Sequence, residues 1–370
     1  MKTERSFITI NLKNLEYNFN NIKEKTFPNE KMACVIKANA YGHGDKVLAK
    51  KYEELGINFF CVASLSEAIN IREVLKPTSQ ILILGYTPYD YLDDILKYDL
   101  IQTITSEEYL YNAYKYIKNK IKVHLAIDTG MSRIGLQLNE KIDDNIQFAL
   151  QNYLVDGVFT HMSCADCLDD DLISFTEKQI EIYKYVYNKY NHLIPNFHYK
   201  NSASIIRKLP NYGNIVRPGI ILYGLNPSDE VKEYIDLKEL IEWKSVISSV
   251  RTINKGDAVG YGNTYYADKD IKVATISTGY ADGYSRSLSN KGYVLINGQR
   301  ANIIGRVCMD QFMVDVTNIN NVESGMLATL IGKDKDNQIT INDIAKLCNT
   351  INYEIVCLIA PRVKRIYINE

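Results

Sequence analysis

The feature that most limits how this chain can fold is a change in hydrophobic period after Trp243. From about residue 30 to 220, short β-branched or apolar runs alternate with amphipathic stretches at helical spacing, which is the signature of repeated βα units. Candidate strands are 32–36, 59–63, 81–84, 101–104, 122–127, 155–159, 196–199 and 214–217. Between them run helical patterns such as Ala68, Ile71, Leu75 and Phe175, Ile180, Tyr183, with Asp45 and Ser66 expected as N-caps. Eight parallel strands with short crossovers close into a barrel, so the expected class is α/β, a (β/α)8 TIM-type barrel whose chemistry sits on the loops at the strands' C-terminal ends. Beyond Trp243 apolar and polar residues alternate, broken by turn signals at Gly256-Asp257, Asn297-Gly298 and Lys333-Asp334, which predicts a C-terminal all-β domain. A helical stretch at 341–348 interrupts it. Leu12, Leu15, Phe19 and Ile22 predict a helix over 11–25, and residues 6–10 read as a strand without a barrel partner. The expected division is a barrel over 11–235 and a β-rich domain over 236–370 that includes an N-terminal strand within 1–10, with the polar stretch 227–240 as the connection.

A chain of 370 residues, 46% of them hydrophobic, has material for two cores. A formal net charge of -1 with scattered Lys and Arg provides no field for nucleic acid or an anionic membrane, so a small-molecule partner is expected. Seven irregularly spaced cysteines do not make a disulfide framework, and the odd count fits reduced thiols in a cytoplasmic protein. Cys164 and Cys167 form a lone Cys-x-x-Cys pair with no second pair, so no metal site is expected. The start, MKTERSFITI, has no apolar signal region, and no apolar run approaches the length needed to cross a bilayer.

The first barrel strand runs into VIKANAYGHG (35–44), which places Lys37 at the C-terminal mouth of the barrel. Position alone leaves two readings open: an exposed lysine just past a strand, or a desolvated lysine able to form an imine with an aldehyde cofactor. Gly42-His43-Gly44 is a poor dinucleotide fingerprint, because the third glycine and the closing acidic residue are missing.

VIKANAYGHG is very similar to the cofactor-lysine motif of alanine racemases. Further matches follow in that family's order: HLAIDTGMSRIG (124–135), GVFTHMS (157–163), HYKNSAS (198–204), VRPGIILYG (216–224), VGYG (259–262), STGYADGY (277–284), GRVCMDQFMVDV (305–316) and NYEIVC (352–357). The resemblance implies a pyridoxal 5'-phosphate-dependent racemase interconverting L- and D-alanine, which would supply D-alanine for cell-wall peptidoglycan. By it Lys37 is the Schiff-base lysine, and Tyr41, Ser202 and the backbone amides around Gly219 and Ile220 form the phosphate site. Backbone N–H groups at the last loops of a barrel are a recurring phosphate cradle, so the location fits independently.

Arg217 resembles the family's partner of the pyridine nitrogen. Most pyridoxal enzymes place a carboxylate there to keep that nitrogen protonated; a guanidinium cannot accept the proton, so the ring is a weaker electron sink and reprotonation competes well with transamination. Racemisation needs a proton removed from one face of Cα and returned to the other, so two opposed acid/base groups are the simplest arrangement. Lys37 serves one face, and Tyr261 resembles the second base, contributed by the other subunit of a homodimer. A free tyrosine titrates near 10, and bringing it to neutrality needs about 4 kcal/mol of differential stabilisation. The family supplies this through groups matched here by His161 and Arg217. Arg133 and Met309 resemble substrate-binding residues, Tyr280 and Asp310 resemble residues on the approach to the pocket, and His198 resembles a residue hydrogen-bonded near the cofactor's rim.

Two positions depart from the family pattern. Many members carry a carbamylated lysine where this chain has Ala126, so Arg133 is expected to meet another anion, such as chloride, or to sit differently. Many carry a tyrosine four residues after the cysteine of NYEIVC, where this chain has Pro361, which points to room for serine as well as alanine. The stretch 292–311 also resembles the racemase domain of the serine racemases of vancomycin resistance. A non-catalytic pyridoxal-phosphate barrel is the first rival, and the β domain carrying Tyr261 argues against it. A two-domain decarboxylase is the second, and Arg217 argues against that.

Overall fold

The computed structural model describes residues 4–369, which form two compact units. One comprises residues 15–40 and 44–238; the other comprises the N-terminal segment through Asn14, residues 41–43, and the chain from Glu239 onward.

In the first unit, strands β2 (Lys31–Met32), β3 (Cys34–Val35), β4 (Phe59–Val62), β5 (Gln80–Ile83), β6 (Ile101–Ile104), β7 (Lys122–Asp128), β9 (Leu154–Phe159), β10 (Asn196–His198) and β11 (Ile215–Val216) run parallel in a ring, while β8 (Leu136–Gln137) adds to β7. Sheet pairing carries the ring from β3 to β10. It closes through β11, where Asn214 and Arg217 N–H donate to the carbonyls of Phe197 and Lys200 (3.0 and 2.9 Å), and Lys31 and Ala33 donate to those of Asn214 and Val216 (both 2.8 Å). The expected eight-stranded barrel therefore forms, with its first strand divided at Ala33. β4 and β6 are buried along their whole length and β5 and β7 everywhere but at their ends, as parallel strands covered by helices must be, while β9 is buried only from Gly157 onward. Gly157 admits a ring: a Cβ there would lie 2.5 Å from the His124 imidazole, so only glycine leaves space for that side chain on the neighbouring strand.

Two expected caps are corrected. Helix Leu65–Arg72 is capped by Ser64, whose side chain accepts from Glu67 N–H, and Ser66 lies inside the helix. Asp45 is the first residue of helix Asp45–Glu54 and follows Gly44, so it is not the cap. Both expectations missed because a cap is defined by non-helical backbone, which propensity alone places within a turn.

In the second unit β1 (Ser6–Asn11) pairs antiparallel with β12 (Ile241–Ile253) and parallel with β19 (Lys364–Ile368). This gives the strand expected near the N-terminus its partners; residues 1–3 lie outside the described residues. Strands β13 (Ile271–Ile276), β14 (Tyr293–Ile296), β15 (Gln299–Ile304), β16 (Phe312–Asp315), β17 (Leu327–Asp334) and β18 (Asn337–Ile339) complete the sheet, in the order β18-β17-β14-β15-β16-β13-β12-β1-β19, and β12 also pairs with β17. Burial alternates along the first half of β12, as period two requires. Trp243 on that strand is buried, donates to Ser6 Oγ (2.8 Å) and meets Tyr284 edge-on at 5.8 Å. Helix Ile341–Cys348 forms where expected, closed by a capping box between Thr340 and Asp343. The turn expected at Lys333-Asp334 falls at 335–336, because β17 continues through Asp334. Among the described residues no helix is long and apolar enough to cross a membrane.

Candidate active site

Lys37 follows β3 at the C-terminal mouth of the barrel and is partly buried. The backbone behind it is unusual: Ala38, Asn39, Ala40 and Tyr41 have φ of 52, 55, 52 and 50°, a left-handed turn built without glycine. Each such residue costs about 1–2 kcal/mol, so the turn must be held by its surroundings. The Glu67 carboxylate accepts from the N–H of Ala38 (2.8 Å) and of Ala63 (2.7 Å). Asn39 accepts from Asp45 N–H through its side chain (3.0 Å) and from Gly44 N–H through its carbonyl (2.9 Å). These bonds fix the base of Lys37 from two directions.

Arg217 lies just past β11 and is 3% exposed. Its Nη1 donates to His198 Nδ1 (2.5 Å) and to the His198 carbonyl (3.0 Å); its Nη2 donates to the Thr160 carbonyl (2.7 Å) and to His161 Nδ1 (3.3 Å). The guanidinium also lies over the Phe159 ring at 5.2 Å. Burial pushes its pKa down to about 10, which leaves it charged at neutral pH. A guanidinium has five N–H donors and no acceptor. Four are occupied and the Nε–H has no partner among the described residues, so one donor is left for an acceptor atom of a ligand.

His161 is held down to about 3, first by burial and then by the positive charges of Arg217, Arg133 and Lys37. The barrel thus gathers three cations about one neutral imidazole, an arrangement suited to an anionic ligand. Arg133 is exposed and makes no hydrogen bond or ion pair among the described residues. Beside it, Ala126, Asp128, Phe159, Thr160 and His161 line a cavity of ≈ 20 Å³. The methyl group of Ala126 leaves this space open, and it is large enough for one water or a monatomic anion.

Ser202 opens the short helix Ser202–Ile206, which Asn201 caps through a bond from Ser204 N–H, so the Ser202 side chain is not spent on the cap. Its Oγ instead accepts from Gly219 N–H (2.9 Å), which joins two of the residues expected to hold a phosphate. Ile220 is fully buried and starts the 3-10 turn Ile220–Tyr223, whose first amides have no partner within the turn.

The remaining expected residues belong to the β unit. Tyr41 is buried, with its ring 6.1 Å from that of Tyr353. Tyr261 stands on a 3-10 turn between Gly260 and Gly262, both at positive φ, and is 71% exposed. Tyr280 and Met309 are exposed and lie on adjacent backbone: Tyr280 N–H donates to the Cys308 carbonyl and Ala281 N–H to the Met309 carbonyl (both 3.0 Å). Asp310 is held by Arg362 (2.7 Å), which also holds the buried Asp282 (2.7 Å). Pro361 is exposed in a turn.

Sequence reasoning passed over His124 and Asp156, which extend the hydrogen bonding around His198. A signal was available. Three of the five histidines, His124, His161 and His198, fall in or just after the expected barrel strands, and His124 shares a strand face with Ala126.

A closed parallel barrel with a clamped lysine, two arginines and a bare N–H donor at its mouth defines an enzyme that works on a small anionic ligand. The description "Alanine racemase, N-terminal domain" matches residues 10–227, and "Alanine racemase, C-terminal domain" matches residues 240–367. The alanine racemase of Halothermothrix orenii is 41% identical over 377 residues, covering 100% of this chain and 98% of its own. The alanine racemase of Clostridium difficile 630 has a TM-score of 0.93 at 36% identity, over 100% of this chain and 97% of that one. The alanine racemase of Bartonella henselae, solved with covalently bound pyridoxal phosphate, has a TM-score of 0.85 at 27% identity, over 99% of this chain and 100% of that one. The chain belongs to the alanine racemase family. Its activity is the interconversion of L- and D-alanine, an isomerase reaction.

Proposed function

We propose that racemisation in this chain runs between two acid/base groups, Lys37 and Tyr261, that face Cα of alanine from opposite sides, with Tyr261 supplied by the second subunit of a homodimer. Pyridoxal phosphate, when bound, supplies the electron sink that acidifies Cα. Lys37 would hold its aldehyde carbon. Tyr41, Ser202, the Ile220 amide and, once it exchanges Ser202 Oγ for a phosphate oxygen, the Gly219 amide would hold its phosphate, and His161 and His198 would order the groups at its rim.

The observation that carries this reading is the single Nε–H left on Arg217 after its other four donors are met. It fits the unprotonated nitrogen of a pyridine and cannot give that nitrogen a carboxylate partner. Arg133 and the backbone of Met309 take the substrate carboxylate, and a small anion in the cavity beside Ala126 supports Arg133. Tyr280 and Asp310 stand on the approach. The wide exposure of Tyr261 supports its use by a second copy of the chain. The barrel over 11–235 carries the cofactor, the β-rich domain over 236–370 carries Tyr261, and irregularly spaced cysteines joined by no disulfide among the described residues fit a cytoplasmic enzyme.

The cofactor-loaded protein, incubated separately with L-alanine and L-serine, is expected to convert L-alanine to an equal mixture of enantiomers. Faster racemisation of serine would overturn alanine as the substrate. Carbon dioxide release in place of D-alanine would overturn the reaction class.

A further inference from the structure

A line of hydrogen bonds runs from Arg217 across three neighbouring barrel strands. Arg217 Nη1 meets His198 Nδ1 at 2.5 Å, His198 Nε2 meets His124 Nδ1 at 2.8 Å, and His124 Nε2 meets Asp156 Oδ2 at 3.2 Å. The three strands that carry His124, Asp156 and His198 are neighbours in the ring, in the order β7, β9, β10. Both imidazoles are buried, at 0% and 1% exposure, and the space for the His124 ring exists only because residue 157 is glycine.

The two ends of this line fix its direction. Arg217 can only donate, and an ionised carboxylate can only accept. His198 Nδ1 must therefore be bare, its one proton sits on Nε2 and is donated to His124 Nδ1, and the proton of His124 sits on Nε2 and is donated to Asp156.

We propose that Asp156 and His124 are positioning residues that act through His198 to keep Arg217 charged and aimed, so that its Nε–H remains the donor to the ring nitrogen of the cofactor. This rests on the reading of Arg217 given above. Four acceptors surround the guanidinium, two carbonyls and two imidazole nitrogens, and none is a carboxylate. A buried guanidinium without a counter-charge is strongly disfavoured. A carboxylate in direct contact would relieve that, but it would bring an acceptor for a proton close to the ring nitrogen. Two imidazoles convey the charge instead. Asp156 polarises His124, which polarises His198, and each bond in such a chain strengthens the next acceptor.

Protonation states agree. The carboxyl of Asp156 is held below its usual range, chiefly by the bond from His124, and Asn196 Nδ2 also donates to it (3.2 Å). Burial holds both histidines below the ordinary imidazole value, so each carries one proton at neutral pH.

Imidazole nitrogen spectra of the cofactor-loaded protein test the direction of the line without any substitution. His124 and His198 are each expected to show a bare Nδ1 and a protonated Nε2 at neutral pH. A protonated Nδ1 on either would overturn the proposal. Asp156→Ala is expected to lower kcat by about 10–100-fold, the loss seen when a carboxylate that orients a metal-bound histidine is removed, with KM for alanine little changed and the His198 resonances displaced. Asp156→Asn, which keeps an acceptor but not the charge, is expected to fall between it and the wild type. Wild-type kcat and unmoved His198 resonances in Asp156→Ala would sink the relay. Unimpaired racemisation by Arg217→Ala would instead sink the reading of Arg217 itself.

Discussion

A guanidinium that is 3% exposed, with four of its N–H groups already bonded, has one thing left to offer a ligand, a single donor. In the proposed site that donor would let Arg217 discriminate between reactions of one cofactor. Arg217→Glu would replace the donor by a group that holds a proton against the ring nitrogen, making the ring a stronger sink. Racemisation of alanine is expected to fall by at least about 100-fold, the usual loss when an oriented donor is removed, while conversion of alanine to its keto acid rises. An unchanged ratio of the two products would contradict the role. The neighbouring His161 carries a stability consequence. In the unfolded chain it titrates near 6.5, and in the folded chain it is held down to about 3, mainly by burial. Between those values the unfolded state binds a proton that the folded state refuses, so folding stability falls as pH drops below about 6.5, at up to about 1.4 kcal/mol per unit from this residue. Denaturant unfolding at pH 7 and pH 5 should show that loss, and His161→Asn should reduce it; equal slopes in both proteins would rule it out. Lys37, Arg217 and Ser202 were legible in the sequence because each sits in a motif on an expected strand end. His124 and Asp156 were not, because their significance lies in a hydrogen bond across strands that no local pattern encodes.

The strands and helices were largely legible, since amphipathic periods of two and 3.6 follow from which face each element buries. Expected strands 59–63, 81–84, 101–104 and 155–159 correspond to β4, β5, β6 and β9 within a residue or so at either end. The turn after Lys37 could not be read this way. KANAY is ordinary helix-forming sequence, and its left-handed course is imposed by Glu67 and by the bonds to Asn39, made by residues distant in sequence or beyond the turn. Caps failed at finer grain, where two serines compete within one turn. Ser64→Ala should destabilise the protein by about 1 kcal/mol, whereas Ser66→Ala should be close to neutral, as measured by denaturant midpoints. The reverse order would restore Ser66 as the cap.

At the scale of the whole molecule, the break in period after Trp243 separates a parallel barrel from an antiparallel sheet, and the sheet then takes in β1 from the far end of the chain. That pairing could not be foreseen from residues 6–10 alone, because a short alternating strand names no partner. Lys37 belongs to one unit and Tyr261, 71% exposed, to the other. The central claim is that these two residues work on one substrate from two subunits. The most direct measurement mixes two inactive variants, Lys37→Ala and Tyr261→Phe, under conditions where subunits exchange. If the site is shared, a hybrid dimer contains one site in which both residues are intact, and random exchange of equal amounts should restore about a quarter of wild-type racemase activity. If Tyr261 served its own chain, every site in the mixture would carry one defect, and activity that stays at the level of the separate variants would contradict the account.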